Sequence, residues 1–129
     1  MKKKLIVLGL LFGVLAIVLG AFGAHALKTV LDEKSLAVFE TGVRYQFYHA
    51  FFLLIVSQFN FLTKANQKIL YYTVLIGVLF FSGSIYLLAT NSLTSFNFKV
   101  IGFITPVGGL ILIFAWVFLL MKCLKQRSL

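Results

Sequence analysis

Acidic residues are nearly missing from this chain. Asp32, Glu33 and Glu40 are all it has, against twelve Lys and Arg. All three acids fall between residues 25 and 42, so the long apolar blocks on either side contain none. Charge of either sign is scarce as well, at 12% of 129 residues, where a soluble domain carries about 25%. With 61% apolar residues, the composition excludes a soluble catalytic domain. The single cysteine, Cys123, excludes an intrachain disulfide or a thiolate metal cluster, and is expected to be a reduced thiol at the cytoplasmic surface. No Ser-His-Asp, Walker, zinc-protease or glycine-rich phosphate motif occurs, and no enzymatic activity is expected.

What is present is a set of apolar blocks about 20 residues long, each enough to cross a hydrocarbon core of about 30 Å. They run over residues 5–24, 43–62, 69–89 and 100–121. The fold class expected is an all-α integral membrane protein: one domain, four transmembrane helices in a compact bundle. Residues 25–42 are mixed and charged, with Leu27, Val30, Leu31, Lys34 and Val38 at helical spacing, as in an interfacial amphipathic helix between the first two spans. The first block also resembles a secretory signal, with Lys2–Lys4 before it and Ala24-His25-Ala26 after it. Its length exceeds the roughly 7–15 residues of a signal core, and it carries a small-residue stripe, so it reads as a retained span.

The formal charge of +9 does not point to nucleic acid, because the cations sit at span ends where they meet lipid headgroups. With both termini cytoplasmic, Lys2, Lys3, Lys4, Lys64, Lys68, Lys122, Lys125 and Arg127 lie inside, and Lys28, Lys34, Arg44 and Lys99 outside. The inside excess sets that orientation. Tyr71, Tyr72 and Trp116 read as an aromatic belt at the inner interface.

The second block is unusual for a span. On a helical wheel Gly42, Gln46, His49, Leu53, Ser57 and Asn60 share one face, while Arg44 and Tyr48 lie on another. A lipid-facing amide or imidazole would lack partners, so the polar face is expected to meet other helices. Matching small or polar faces occur at Thr73, Gly77, Ser84 and Asn91, and at Gly102, Pro106 and Gly109, with Pro106 expected to kink the last span. Gly9, Gly13, Ala16 and Gly20 form the stripe of the first span. His49, about six residues into its block, is expected roughly 9 Å below the outer surface. It reads first as interhelical glue and second as a proton relay or ligand-binding group. His25 and His49 would be a haem or metal pair only if adjacent, and no third ligand is evident, so no metal or cofactor is expected. Glu40 and Arg44 suit an i, i+4 ion pair, and Tyr45 and Tyr48 an aromatic belt.

Four stretches carry a resemblance: GAFGAHAL at 20–27, FETGVRYQFYHA at 39–50, FSGSIYLLAT at 81–90 and TPVGG at 105–109. In this order they resemble the small membrane proteins of domain-of-unknown-function family 423, also called uncharacterised protein family 0382 and related to the transmembrane protein 256 group. Ala115 before Trp116 departs from the glycine associated with that place, which bears on packing alone. The resemblance implies a four-helix plasma-membrane protein and brings no activity or catalytic residue. Its motif-rich segments coincide with His25 and with Gly42–His49. The candidate binding residues are therefore His25, Glu40, Arg44, Tyr45, Gln46 and His49. The function expected is association through helix packing with itself or a membrane-protein partner in the bilayer. The competing reading is a small oligomeric transporter or ligand-binding protein using the Gln46/His49 face.

Overall fold

The structure, a computed structural model, describes residues 1–126; Arg127, counted above in the basic tail, lies outside them. The described residues are all helical, with no strand. Helix α1 spans Lys2–His25 and ends in a 3-10 turn, Leu27–Thr29. Helix α2 spans Glu33–Val56. Helix α3 (Lys64–Val78), a π-helical turn (Leu79–Gly83) and α4 (Ser84–Ala89) follow one another without a break. Two short 3-10 turns, Asn91–Leu93 and Phe98–Ile101, lead to α5, Ile104–Leu124.

Local chemistry sets these boundaries. Asp32 stops the 3-10 turn and starts α2 by accepting a hydrogen bond from the Ser35 amide at 2.7 Å. That bond holds the Asp32 carboxyl below the usual carboxylate range. Residues 33–42 are thus the first turns of α2, where a separate interfacial helix was expected. Their apolar members Leu36 and Phe39 pack with Leu27 and Leu31 beneath the α1–α2 connection. Thr63 caps α3 in the same way through the Asn66 amide. α2 ends at Val56, six residues short of the expected block, because Ser57–Leu62 turn the chain towards that cap.

Pro106 does not kink a span. It lies in the first turn of α5, where the missing N–H belongs to a group that no helix satisfies, so the helix starts there undisturbed. Gly102, expected beside it on a packing face, precedes α5, and the atom a Cβ there would meet is Lys99 O of its own turn.

Among the described residues, three helical stretches are long and apolar enough to cross a membrane: Lys2–Thr29, Lys64–Ala89 and Phe98–Leu124. α2 is not among them, because Glu40, Arg44, Gln46 and His49 dilute its apolar content. It is nonetheless the helix against which α1 and α4 pack. α1 and α2 run antiparallel, with Gly23 on Phe39, Gly20 on Val43 and Gly9 on Ala50. At Gly9 a Cβ would lie 3.0 Å from the Ala50 carbonyl, so the small residue permits the approach. Gly13 continues that face with an ordinary contact to the Ala50 side chain, and Ala16 is buried. A core of Leu5, Phe12, Leu53, Val56, Leu70, Val74 and Leu112 joins α1, α2, α3 and α5.

Candidate functional site

The polar face of α2 turns inward, and the helix pairing dictates what it meets. Gln46 is 4% exposed and uses both ends of its amide. Its Nε2 donates to the Phe12 carbonyl of α1 at 2.9 Å, and its Oε1 accepts from the Tyr86 hydroxyl of α4 at 2.7 Å. One side chain thus ties three helices. A turn earlier, Gly42 presents bare backbone to α4: a Cβ there would come within 2.8 Å of Ile85 and of the Tyr86 ring. The Gly42 carbonyl accepts a bond from buried Ser82 at 2.7 Å.

His49 is 3% exposed. Its Nδ1 lies 2.7 Å from the Tyr45 carbonyl, and Trp116 Nε1 lies 3.1 Å from its Nε2. A carbonyl only accepts and an indole N–H only donates. The ring is therefore neutral with its proton on Nδ1, and its one lone pair is occupied by Trp116. For Nε2 to act as a base, or to bind a metal, Trp116 must first leave.

The π turn belongs to the same seam. A π turn withholds the usual i+4 partner from a backbone carbonyl. Here the Ser84 hydroxyl donates to the Phe80 and Phe81 carbonyls and meets Thr105 of α5. The turn is pressed by Gly108, where a Cβ would strike the backbone of Phe80 and Phe81. Gly109, expected on a helix-packing face, meets only the Phe81 ring at an ordinary 3.6 Å. Gly77 lies against Leu112.

The six candidate binding residues do not converge. Gln46 and His49 face inward; Glu40, Arg44 and Tyr45 face outward and are exposed. Arg44 donates to Thr41 Oγ1 at 3.1 Å, where an ion pair with Glu40 was expected. His25 is exposed in the last turn of α1, and its level along the antiparallel pair is near Leu36. His49 lies about thirteen residues further down α2, which is about 20 Å at 1.5 Å per residue. The two histidines cannot share a ligand. By the same register His49 stands beside Gly9–Gly13, in the half of the bundle nearer the N-terminus, and deeper than the 9 Å expected when the span was taken to begin at Val43. Among the described residues no cluster of three His, Cys, Asp or Glu could hold a metal.

Outside the seam, α2 and α5 leave an open apolar groove of about 690 Å³ lined by Tyr45, Tyr48, Phe52, Ile55, Trp116 and Leu120 among others. Trp116 links groove and seam. It sits eight residues inside the end of α5, its ring 4.6 Å from Phe52 and its indole N–H donated to His49. Sequence reasoning missed Phe12, Ser82, Tyr86, Gly108 and the bonding role of Trp116. The available signal was that Tyr and Trp with a buried polar end find a partner.

The protein-family model described as "Protein of unknown function (DUF423)" matches residues 19–109. The chain belongs to this family. It is 37% identical over 123 residues to a UPF0382 membrane protein of Staphylococcus haemolyticus, covering 95% of this chain and 97% of that one. It is 36% identical to a UPF0382 membrane protein of Haemophilus influenzae over the full length of both. UPF0382 membrane protein YwdK of Bacillus subtilis is 36% identical, with 95% and 98% covered. No solved structure shows significant similarity. The matched segment of this DUF423 member contains Gly42, Gln46, His49, Ser82 and Tyr86, so most of the seam lies within it. The family identity makes it a membrane protein and assigns no activity.

Proposed function

We propose that this protein is a non-enzymatic, four-span protein of the plasma membrane that acts by packing against membrane-protein surfaces, its own or a partner's. In this reading the polar face of α2 is the glue of the bundle rather than a binding site. The observation that carries it is engagement: Gln46 has a neighbour at each end of its amide, and His49 has one at each ring nitrogen. Among the described residues no buried side-chain nitrogen or oxygen is without a partner. A carrier or ligand site would need a polar group left over for its cargo.

Four spans follow if α2 crosses. Its 24 residues make about 36 Å at 1.5 Å per residue, more than a hydrocarbon core of about 30 Å. Its polar groups at depth turn towards other helices, as a lipid solvent requires. The order of four antiparallel helical stretches then puts both termini on one side. Lys2, Lys3, Lys4, Lys64, Lys68, Lys122 and Lys125 belong to that side, which supports a cytoplasmic assignment.

The test is a thermal-shift screen of the purified protein against ions, haem, quinones, lipids and small metabolites, with His49→Ala beside the wild type. The reading predicts a less stable variant and no stabilising ligand that depends on His49. A ligand at 100 times its dissociation constant adds about 2.7 kcal/mol to the folded state. Such a shift, abolished in a folded His49→Ala, would replace glue with a binding site.

A further inference from the structure

Glu40 and Arg44 are exposed one turn apart on α2, and each borders a hollow beside α1. The lower hollow, about 250 Å³, is walled by Ile17, Val43, Phe47 and Tyr48 and carries charge through Arg44. The upper one, about 500 Å³, lies at the α1–α2 connection, where Lys28, Glu33 and Glu40 border it. Register fixes their depth. Gly23 packs on Phe39 and Gly20 on Val43, and the uncharged stretch of α1 runs to Ala24. Glu40 is therefore level with the end of that stretch, and Arg44 lies about 6 Å below it by helix rise. From that depth an arginine reaches headgroup phosphate by laying its apolar stem along the helix. Among the described residues the guanidinium has one acceptor, Thr41 Oγ1, for its five N–H donors.

We infer that this flank binds one phospholipid whose headgroup carries a primary ammonium beyond its phosphate, as phosphatidylethanolamine does. The order of groups selects it. From the bilayer outwards, such a lipid presents acyl chain, glycerol ester, phosphate and ammonium. In the same direction the flank presents an apolar hollow, the Tyr48 residue, the Arg44 guanidinium and the Glu40 carboxylate. Arg44 offers the phosphate paired N–H donors in a planar fork. The ammonium has N–H donors of its own, and Glu40 accepts from it. Glu33 adds a second acid to the upper hollow against the single cation of Lys28. Phosphatidylcholine fits worse, because a quaternary ammonium has no N–H to donate. Phosphatidylglycerol fits worse, because it brings no cation to Glu40. The lower hollow takes the upper part of one acyl chain against Ile17 and Phe47. The inference rests on the four-span reading, which sets the start of α2 at the membrane surface.

The test equilibrates the purified full chain in detergent with phosphatidylethanolamine, phosphatidylcholine and phosphatidylglycerol of identical chains, and counts retained lipid by native mass spectrometry. The wild type should retain phosphatidylethanolamine about fivefold over either of the others, the factor of one charge contact at a lipid surface. Glu40→Gln should bring it down to the level of phosphatidylcholine. Arg44→Gln should weaken retention of all three lipids, and Glu40→Lys should move the preference to phosphatidylglycerol. Glycerophosphoethanolamine, the headgroup without chains, should not compete. Thermal unfolding without added lipid confirms that each variant is folded. Equal retention of the three lipids by the wild type would mean annular lipid only and would overturn the site. A phosphatidylethanolamine preference that survives in folded Glu40→Gln would overturn the headgroup order, and competition by glycerophosphoethanolamine would overturn the chain contact. None of these results touches the four-span reading. That reading fails instead if Lys34→Cys and Asn60→Cys, on a Cys123→Ser background, react with an impermeant thiol reagent from the same side.

Discussion

Replacing Gln46 with leucine isolates the polar seam from simple packing, because leucine fills a similar volume and carries no polar atom. The substitution removes the bond to the Phe12 carbonyl and the bond from the Tyr86 hydroxyl. Interhelical hydrogen bonds in membranes average about 0.6 kcal/mol and reach about 1.7 kcal/mol. Two of them put the loss for Gln46→Leu at about 1–3 kcal/mol. Tyr86→Phe removes one of the same two bonds and should cost about 0.6–1.7 kcal/mol. The Tyr86–Gln46 bond is counted in both single variants, so the double variant should cost less than their sum by about that bond's value. The assay is reversible unfolding in bicelles or mixed micelles, with all four proteins measured together. A Gln46→Leu variant as stable as the wild type, or strictly additive losses, would refute the claim that Gln46 holds three helices through these atoms.

Two further substitutions separate close neighbours. Gly108→Ala should destabilise the protein by at least about 2 kcal/mol, because the methyl would collide with the backbone of Phe80 and Phe81, which cannot retreat as a side chain would. Gly109→Ala, with an ordinary contact to the Phe81 ring, should be neutral or up to about 1 kcal/mol stabilising; equal effects at the two sites in an unfolding assay would reject the α5 register. The α2 cap should be acid-sensitive. The Asp32 carboxylate titrates below its unfolded range, so its contribution is complete at neutral pH and is lost as pH falls through and below the usual carboxylate range. Hydrogen exchange at the Ser35 amide, corrected for its intrinsic pH dependence, should accelerate there, and Asp32→Asn should keep the cap while abolishing the dependence.

How far the sequence was legible varies by residue. The inward face of α2 was readable because Gly42, Gln46 and His49 are sorted by helical period, and lipid leaves such groups nowhere else to go. Their partners were not. Gln46 bonds to the Phe12 backbone, and every residue of α1 offers a carbonyl. Trp116 and Tyr86 bond through single polar atoms on side chains that equally suit a membrane interface. The start of α2 was misjudged because apolar content bounded the span, whereas the helix is started by the Asp32 cap. The choice between Gly108 and Gly109 needs the rotation of α5 about its axis, and the π turn adds a residue to a periodic pattern without disturbing it visibly.

Everything proposed here depends on α2 crossing the membrane, although its composition alone does not identify it as a span. The direct measurement is labelling of single cysteines by a membrane-impermeant thiol reagent in intact cells, on a Cys123→Ser background. Lys34→Cys, beside the Asp32 cap, should be labelled from outside, and Asn60→Cys, beyond the end of α2, only after the membrane is opened. Labelling of both positions from the same side would mean that α2 does not cross, and the four-span seam would have to be abandoned.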